Sequence, residues 1–245
     1  MRRMTSGYQI VVGIGMAALL ASCAGPGGSS AGRDYWGHRP GPSGFRTVIL
    51  DAGHGGKDRG AASGTTGHHE KDLTLDMVKR IRAELGGGFR TLLMRSDDTF
   101  VELDERVLRA NRYGDAVLVS MHFNSGPAGV RGPETYYWRV DSHGLAVRLQ
   151  RAMAQACPGE TASRGLVRRR LRLTRNPEIP CVLIEGGYLS HPAEARLIAN
   201  PDYRQRLAAA IAGAIRAQAA AGDAGTGPLP PPLTAPPSRP GDARE

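Results

Sequence analysis

The sequence predicts a single α/β domain, with a central, largely parallel but mixed, twisted sheet of about six strands and helices on both faces. Three observations carry that expectation. Between Phe45 and Ala220, short β-branched or apolar runs alternate with longer amphipathic stretches, the order that lays parallel strands beside crossover helices. Several of the short runs are apolar throughout, as in strands buried on both faces. At about 175 residues, the stretch is also long enough to bury a full core without a disulfide.

Each element has its own local reason. Thr47-Val48-Ile49-Leu50 reads as a buried strand. It stops at Asp51 and runs into a loop with glycines at 53, 55, 56 and 60, a backbone that bends freely around His54. Glu70 to Leu85 sets Leu73, Met77, Ile81 and Leu85 on one face with charges opposite, which predicts an amphipathic helix. Gly86-Gly87-Gly88 ends it. Phe89 to Met94 is a short strand, Leu103 to Tyr113 a helix, and Ala116 to Met121 an apolar strand. Glu134 to Trp138 alternates and is aromatic and β-branched, hence a strand. Ser142 to Ala156 is a helix carrying Leu145, Leu149 and Met153. Leu166 to Leu173 alternates arginine with leucine, which predicts an edge strand whose charges discourage further pairing. Cys181 to Ile184 is a buried strand ending at Glu185. Pro192 to Ala199 and Pro201 to about Ala219 are helices that begin with proline in its favoured first position.

The two ends stand apart from the domain. Residues 1–22 read as a lipoprotein signal peptide. Arg2 and Arg3 supply the positive end, and Ile10 to Ala21 is apolar but shorter than the roughly 20 residues a membrane span needs. Leu20-Ala21-Ser22-Cys23 resembles the bacterial lipobox, in which Cys23 is acylated and anchors the protein to a membrane. Residues 23–44 follow as a flexible tether, and residues 221–245 read as a disordered proline-rich tail. Ala24 after the cysteine suits cargo for the periplasmic face of the outer membrane in a Gram-negative cell, and for the cell surface otherwise.

The formal charge is +9, and arginine far outnumbers lysine. No recognition motif or aromatic-basic ladder accompanies it, which argues against nucleic acid as partner. An anionic polymer or membrane surface fits instead. Cys157 and Cys181 could pair in an oxidising compartment or remain two buried thiols.

Candidate chemistry gathers where the apolar strands end. The first ends beside His54, the third runs Val-Leu-Val-Ser-Met-His122, and the last runs Val-Leu-Ile-Glu185. Parallel strands place those ends on one edge, where sites of open α/β sheets form. Glu70 opens the first helix and belongs near the same edge. Two histidines and a carboxylate around one ion, with a position left for water, match a catalytic zinc site. Singly, Glu70 could offset a helix dipole, His122 could be a core histidine, and Glu185 could be half of a buried ion pair.

Five segments then resolve those alternatives by resemblance. Asp51-Ala-Gly-His54-Gly-Gly comes first, then Glu70-Lys-Asp-Leu-Thr-Leu, then Met94 to Arg106 with Ala110-Asn111. Ser120-Met-His122-Phe-Asn124-Ser and Ile184-Glu185-Gly-Gly-Tyr-Leu-Ser-His-Pro192-Ala-Glu194 complete the set. In this order and spacing the chain resembles the zinc-dependent N-acetylmuramoyl-L-alanine amidases that cleave septal peptidoglycan. The resemblance implies Zn²⁺ on His54, Glu70 and His122. It also implies Glu185 as the general base that activates water and then protonates the departing amine.

Asn124 is expected to touch substrate or shape the site, and Arg168 and Arg170 to meet stem-peptide carboxylates. His68 and His69 are expected in an exposed loop, and His143 and His191 at helix starts. Relatives held inactive by a partner carry a long plug-bearing insertion between the positions of Asn124 and Ser142. The path here is short, so the resemblance implies an open site on a monomer that needs no activator. With no appended wall-binding module in view, peptidoglycan contact is expected to rest on the anchor and the arginines.

Overall fold

The computed structural model describes residues 40–127, 129–158 and 163–230. The signal peptide, Cys23 with most of the tether, and the greater part of the proline-rich tail lie outside those residues. Among the described residues six strands and six α-helices build the domain. They are β1 (Thr47–Ala52), α1 (Glu70–Leu85), β2 (Arg90–Leu93), α2 (Leu103–Ala110), β3 (Ala116–Asn124), β4 (Glu134–Tyr137), α3 (His143–Ala156), β5 (Gly165–Arg168), α4 (Arg172–Arg175), β6 (Cys181–Tyr188), α5 (Pro192–Ala199) and α6 (Pro201–Ala221). Among the described residues no helix is long and apolar enough to cross a membrane.

The sheet order is β2-β1-β3-β6-β4-β5. The first strand lies in the interior: the chain steps outward from β1 to β2 and then returns to β1's other side with β3. The carboxyl ends of β1 and β3 therefore flank a switch point, where an α/β sheet opens a crevice. All pairings are parallel except β4 with β6. That exception turns β4 and β5 round together, so the sites at their ends are exchanged relative to a fully parallel sheet.

Alternation along the strands sorts side chains onto two faces. Val48, Leu50, Val117, Val119, Met121, Val182 and Ile184 meet α1, α3 and α6 in the main core. On α1 the stripe Leu73, Met77, Ile81 and Leu85 is buried there, each side chain contributing about 1.5–3 kcal/mol relative to exposure. The opposite face carries Ile49, Leu118 and Cys181 in one small cluster and Tyr136, Leu171 and Leu183 in another. Among the described helices the short α2 and the single turn of α4 lie along that side, and it is the face that bears His122 and Glu185.

The structure departs from the sequence reading in three places. The predicted edge strand Leu166 to Leu173 ends at Arg168, and the chain turns into α4. Leu171 and Leu173 are buried against the sheet, so the apparent alternation mixed strand positions with a helical turn. β3 and β6 run past the expected ends at Met121 and Ile184, because their pairing continues through a register shift to Asn124 opposite Tyr188. At the other end, packing persists beyond α6. Asp223 accepts from the Gly41 amide at 2.7 Å and from Gln218 Nε2 at 3.0 Å. Arg148 holds the carbonyls of Gly222 and Ala224.

Cys157 and Cys181 are separate buried thiols. The first lies 3.1 Å from the Tyr203 hydroxyl, and the second donates to the Thr174 carbonyl at 3.1 Å. Burial pushes the Cys181 thiol up to about 12, which keeps it uncharged.

Candidate metal centre

His54 follows the carboxyl end of β1 with φ at 61°, the single non-glycine residue in the left-handed region among the described residues. Such a conformation is uncommon for a side chain with a Cβ and persists only when its surroundings over-determine it. Here they do. Arg106 donates to the His54 carbonyl at 2.8 Å and to the Ala52 carbonyl at 2.8 Å. Arg95 donates to the carbonyls of Ala52 at 3.0 Å and Gly53 at 2.9 Å. Thr74 on α1 donates to Gly53 as well, at 2.8 Å. Gly53 has no alternative: a Cβ there would lie 2.2 Å from the His122 ring.

Two buried arginines thus clamp one loop, and a buried carboxylate pairs with one of them. Arg106 Nη1 pairs with Asp51, whose other oxygen accepts from Ser120 at 2.7 Å. Asp51 is 0 % exposed. Neither arginine's role is visible in the sequence, where both sit in a polar stretch that reads as surface.

The ligand group forms above this clamp. Glu70, first residue of α1, lies between the two rings: Oε2 is 3.0 Å from His54 Nε2 and Oε1 is 3.0 Å from His122 Nδ1. The backbone holds the same carboxylate, with the Ala61 amide donating to Oε2 at 2.8 Å and the Phe123 amide to Oε1 at 3.1 Å. The ring centroids stand 5.0 Å apart at 74°. One donor atom each from His54, Glu70 and His122 lies within 4.8 Å of the others.

Tetrahedral zinc with bonds of about 2.1 Å separates its ligand atoms by about 3.4 Å. The 3.0 Å contacts therefore need only a slight opening to take an ion, and a nitrogen–nitrogen–carboxylate set suits zinc chemically. The group has the composition and the spacing of a metal site.

Asp58 completes the arrangement, and the sequence reading missed it. Its Oδ2 is 2.8 Å from His54 Nδ1, and its Oδ1 accepts from the Gly60 amide at 3.0 Å. A carboxylate on the far ring nitrogen fixes which nitrogen of His54 faces the ion. The four-residue interval from His54 to Asp58 is the one signal that could have exposed it.

Electrostatics agree with this geometry. Burial would lower the pKa of His54, but Glu70 and Asp58 outweigh it and raise the group to about 9. Burial pushes the Glu70 carboxyl up, while hydrogen bonds from His122 and His54 hold it well below the usual carboxylate range. The ion-free centre is thus an imidazolium–carboxylate cluster at neutral pH.

Glu185 lies in register with His122 on the neighbouring strand and is 5 % exposed. It is outside the three-residue ligand group. On its other side it pairs with Glu134 of β4. Glu134 Oε2 accepts from Tyr136 Oη at 2.7 Å and Tyr188 Oη at 3.2 Å. Burial and then Glu134 push the Tyr188 hydroxyl up to about 12, so it stays a donor. Asn124 joins this cluster, donating from Nδ2 to Tyr188 Oη at 3.2 Å.

The remaining candidates fall elsewhere. Arg168 lies three register positions from the row that Glu185 occupies, with Arg170 beyond it, and both remain proposed contacts for a more distant part of the stem peptide. Arg168 pairs with Tyr137, and Tyr137 with Val182, three residues back along β6 from Glu185. That is about 10 Å at 3.3 Å per residue, and on the other face. Both guanidinium groups lie over Trp138, at 5.4 and 5.6 Å. The reason is the reversed β4, which carries β5's carboxyl end away from the site. His68 is exposed and His69 half-buried as the N-cap of α1. His143 begins α3, and His191 caps α5.

Comparisons with known proteins agree with this architecture. The family model described as N-acetylmuramoyl-L-alanine amidase matches residues 48–217. The probable cell wall amidase LytH of Staphylococcus aureus is 34 % identical over 174 residues, covering 68 % of this chain and 56 % of LytH. The chain thus spans little more than half of that relative. The crystal structure of an N-acetylmuramoyl-L-alanine amidase from Clostridium difficile 630 superposes with a TM-score of 0.67 at 33 % identity, covering 72 % of this chain and 97 % of that one. The catalytic domain of CwlV from Bacillus (Paenibacillus) polymyxa var. colistinus gives 0.66 at 35 % identity, covering 70 % and 96 %.

Proposed function

The chain belongs to the N-acetylmuramoyl-L-alanine amidase family, and from that premise we propose a specific reaction and a role for each residue of its site. The reaction is hydrolysis of the amide between the lactyl group of N-acetylmuramic acid and L-alanine in peptidoglycan. His54, Glu70 and His122 would hold Zn²⁺, and Glu185 would be the general base and acid. The observation that supports this most is the convergence of three donor atoms within 4.8 Å from residues far apart in sequence, with Glu185 in register beside them.

Zinc, when bound, supplies Lewis acidity that polarises a carbonyl and acidifies water. The protein's own groups do the rest. The Glu185 carboxylate accepts the proton of the attacking water and returns it to the alanine nitrogen as the amide breaks. Glu70 carries the negative charge that offsets the cation. Asp58 fixes the His54 ring. Tyr136, Tyr188 and Asn124 bond Glu134, the residue opposite Glu185 on the neighbouring strand, and so fix that wall of the site.

The purified protein, with no added partner, is expected to release free stem peptides from murein and leave glycan chains with intact lactyl groups. Chelation abolishes this and zinc restores it. Activity only in the presence of a second protein would remove the open-site part of the proposal. Release of single D-amino acids would point to a carboxypeptidase instead.

Zinc titration gives an independent test of the centre. His54 carries a proton below about pH 9 in the ion-free site, and ligation must expel it. Zinc uptake at pH 7 is expected to release that proton, and affinity to climb as pH rises towards 9. Asp58→Asn is expected to weaken zinc binding about 10–100-fold. Calorimetry in two buffers of different ionisation enthalpy reads both effects. Equal affinity in wild type and variant would dismiss Asp58 as the group that orients His54.

A further inference from the structure

We propose that Arg164 recognises the free carboxylate of the stem-peptide residue that follows L-alanine, and so sets which peptidoglycan chemotype the enzyme prefers. This rests on the amidase reading above and extends it to specificity.

The placement follows from strand direction. Because β4 is antiparallel to β6, the residues at the start of β4 and β5 lie at the edge where β6 delivers Glu185. One row across the sheet runs His122, Glu185, Glu134, Gly165, and Arg164 is the residue just before Gly165. Its backbone is pinned, with the Arg164 amide donating to the Pro133 carbonyl at 3.0 Å. Its side chain is aimed back toward the site. Nε is 3.4 Å from Glu134 Oε1, and the guanidinium lies 5.6 Å above the Tyr188 ring. Tyr188 in turn donates to Glu134 at 3.2 Å.

The guanidinium is therefore held from one edge and one face by a carboxylate and a ring. The contact to Glu134 uses Nε, and the side chain is 39 % exposed. Nη1 and Nη2 remain available to an acceptor arriving from solvent. A planar fork of this kind matches a carboxylate.

Substrate chemistry supplies the acceptor at a fitting distance. The muramoyl lactyl ether, its N-acetyl group and L-alanine are uncharged around the scissile amide. The first formal charge along the stem is on the next residue, a γ-linked glutamate whose α-carboxylate is free in some walls and amidated in others. Two residues span about 7 Å, and a charge-assisted hydrogen bond adds about 3 Å. From the strand of His122 to that of Glu134 is two strand spacings, about 10 Å. A stem laid across β6 from the metal centre brings this carboxylate to Arg164.

The test uses two soluble ligands, N-acetylmuramoyl-L-alanyl-γ-D-glutamyl-L-lysine and the same tripeptide with D-isoglutamine in place of D-glutamate, which differ only in that carboxylate and keep the γ-carboxyl in peptide linkage. Hydrolysis of the two in competition gives the preference of the zinc-loaded enzyme. Binding of each to the Glu185→Gln variant gives it without turnover. Wild type is expected to favour the carboxylate about tenfold, with the difference in KM rather than kcat. Arg164→Ala is expected to bring the ratio near one, and Arg164→Lys to restore part of it. Circular dichroism melts check that the variants remain folded. The same ratio in wild type and Arg164→Ala overturns the assignment and leaves the amidase reading standing. Failure of wild type to release stem peptides from murein removes the amidase reading, and this inference with it.

Discussion

Glu185→Gln is expected to lower turnover about 10²–10⁴-fold, the range for loss of a positioned general base, while metal content stays at the wild-type level. The two halves of that outcome separate base from ligand. Glutamine keeps the size and most hydrogen-bonding capacity of glutamate but cannot take a proton. Glu185 stands one strand away from His122 and outside the group of three donors, so the centre loses no ligand atom. Metal analysis and murein digestion on the same preparation read both quantities. Loss of the ion together with retained turnover would exchange the assigned roles, making Glu185 a ligand. The contrasting variant is Glu70→Gln, which weakens the metal centre itself, because Glu70 bridges both histidines at 3.0 Å.

The second large effect lies beneath the site. Arg106→Met is expected to destabilise the fold by about 3–5 kcal/mol, the cost of leaving one member of a buried ion pair alone. Asp51 would keep only the Ser120 hydroxyl at a position closed to water. For a domain of this size each kcal/mol shifts the melting temperature by about 2–4 °C, so a fall of roughly 6–20 °C should be measurable in a thermal melt.

A double variant separates the charge from the clamp. Asp51→Leu with Arg106→Met removes both charges and should recover much of the stability, since apolar replacements of buried pairs are often neutral or better. It should not recover zinc affinity, because the carbonyls of Ala52 and His54 still lose their donors. Full recovery of metal binding in the double variant would show that the clamp does not hold His54 in place.

These cases show what a single sequence exposes. His122 and Glu185 each end an apolar run and His54 follows one by a short glycine-bearing loop, and a polar residue at such a position is conspicuous because packing alone does not select it. Glu70 is conspicuous only through the resemblance; by itself it looks like any acidic residue in a first helical turn. Arg106 and Arg95 are hidden for the opposite reason. An arginine buried to hold carbonyls reads like one in water, and only the fold reveals that 2 % or 4 % of the residue is exposed.

The direction of β4 was likewise out of reach. Alternation of apolar and polar residues is the same whether a strand runs up or down, and the parallel expectation rested on neighbouring helices. That one reversal set Arg168 back from the row of Glu185 and put Glu134 and the start of β5 beside it. Where the edge strand was expected to reach Leu173, a leucine–arginine repeat too short to distinguish period two from a helical turn concealed α4.

The reversed pair also changes what length variation can do. The connection entering β4 and the segment entering β5 both arrive at the rim beside Glu185. Residues 129–133 and residues 163–164, far apart along the polymer, thus border one opening from adjacent strands. Lengthening either would roof the groove or reshape its wall while β1, β3 and β6 stayed as they are. Access and selectivity can therefore vary in this scaffold independently of the strands that bear its reactive groups.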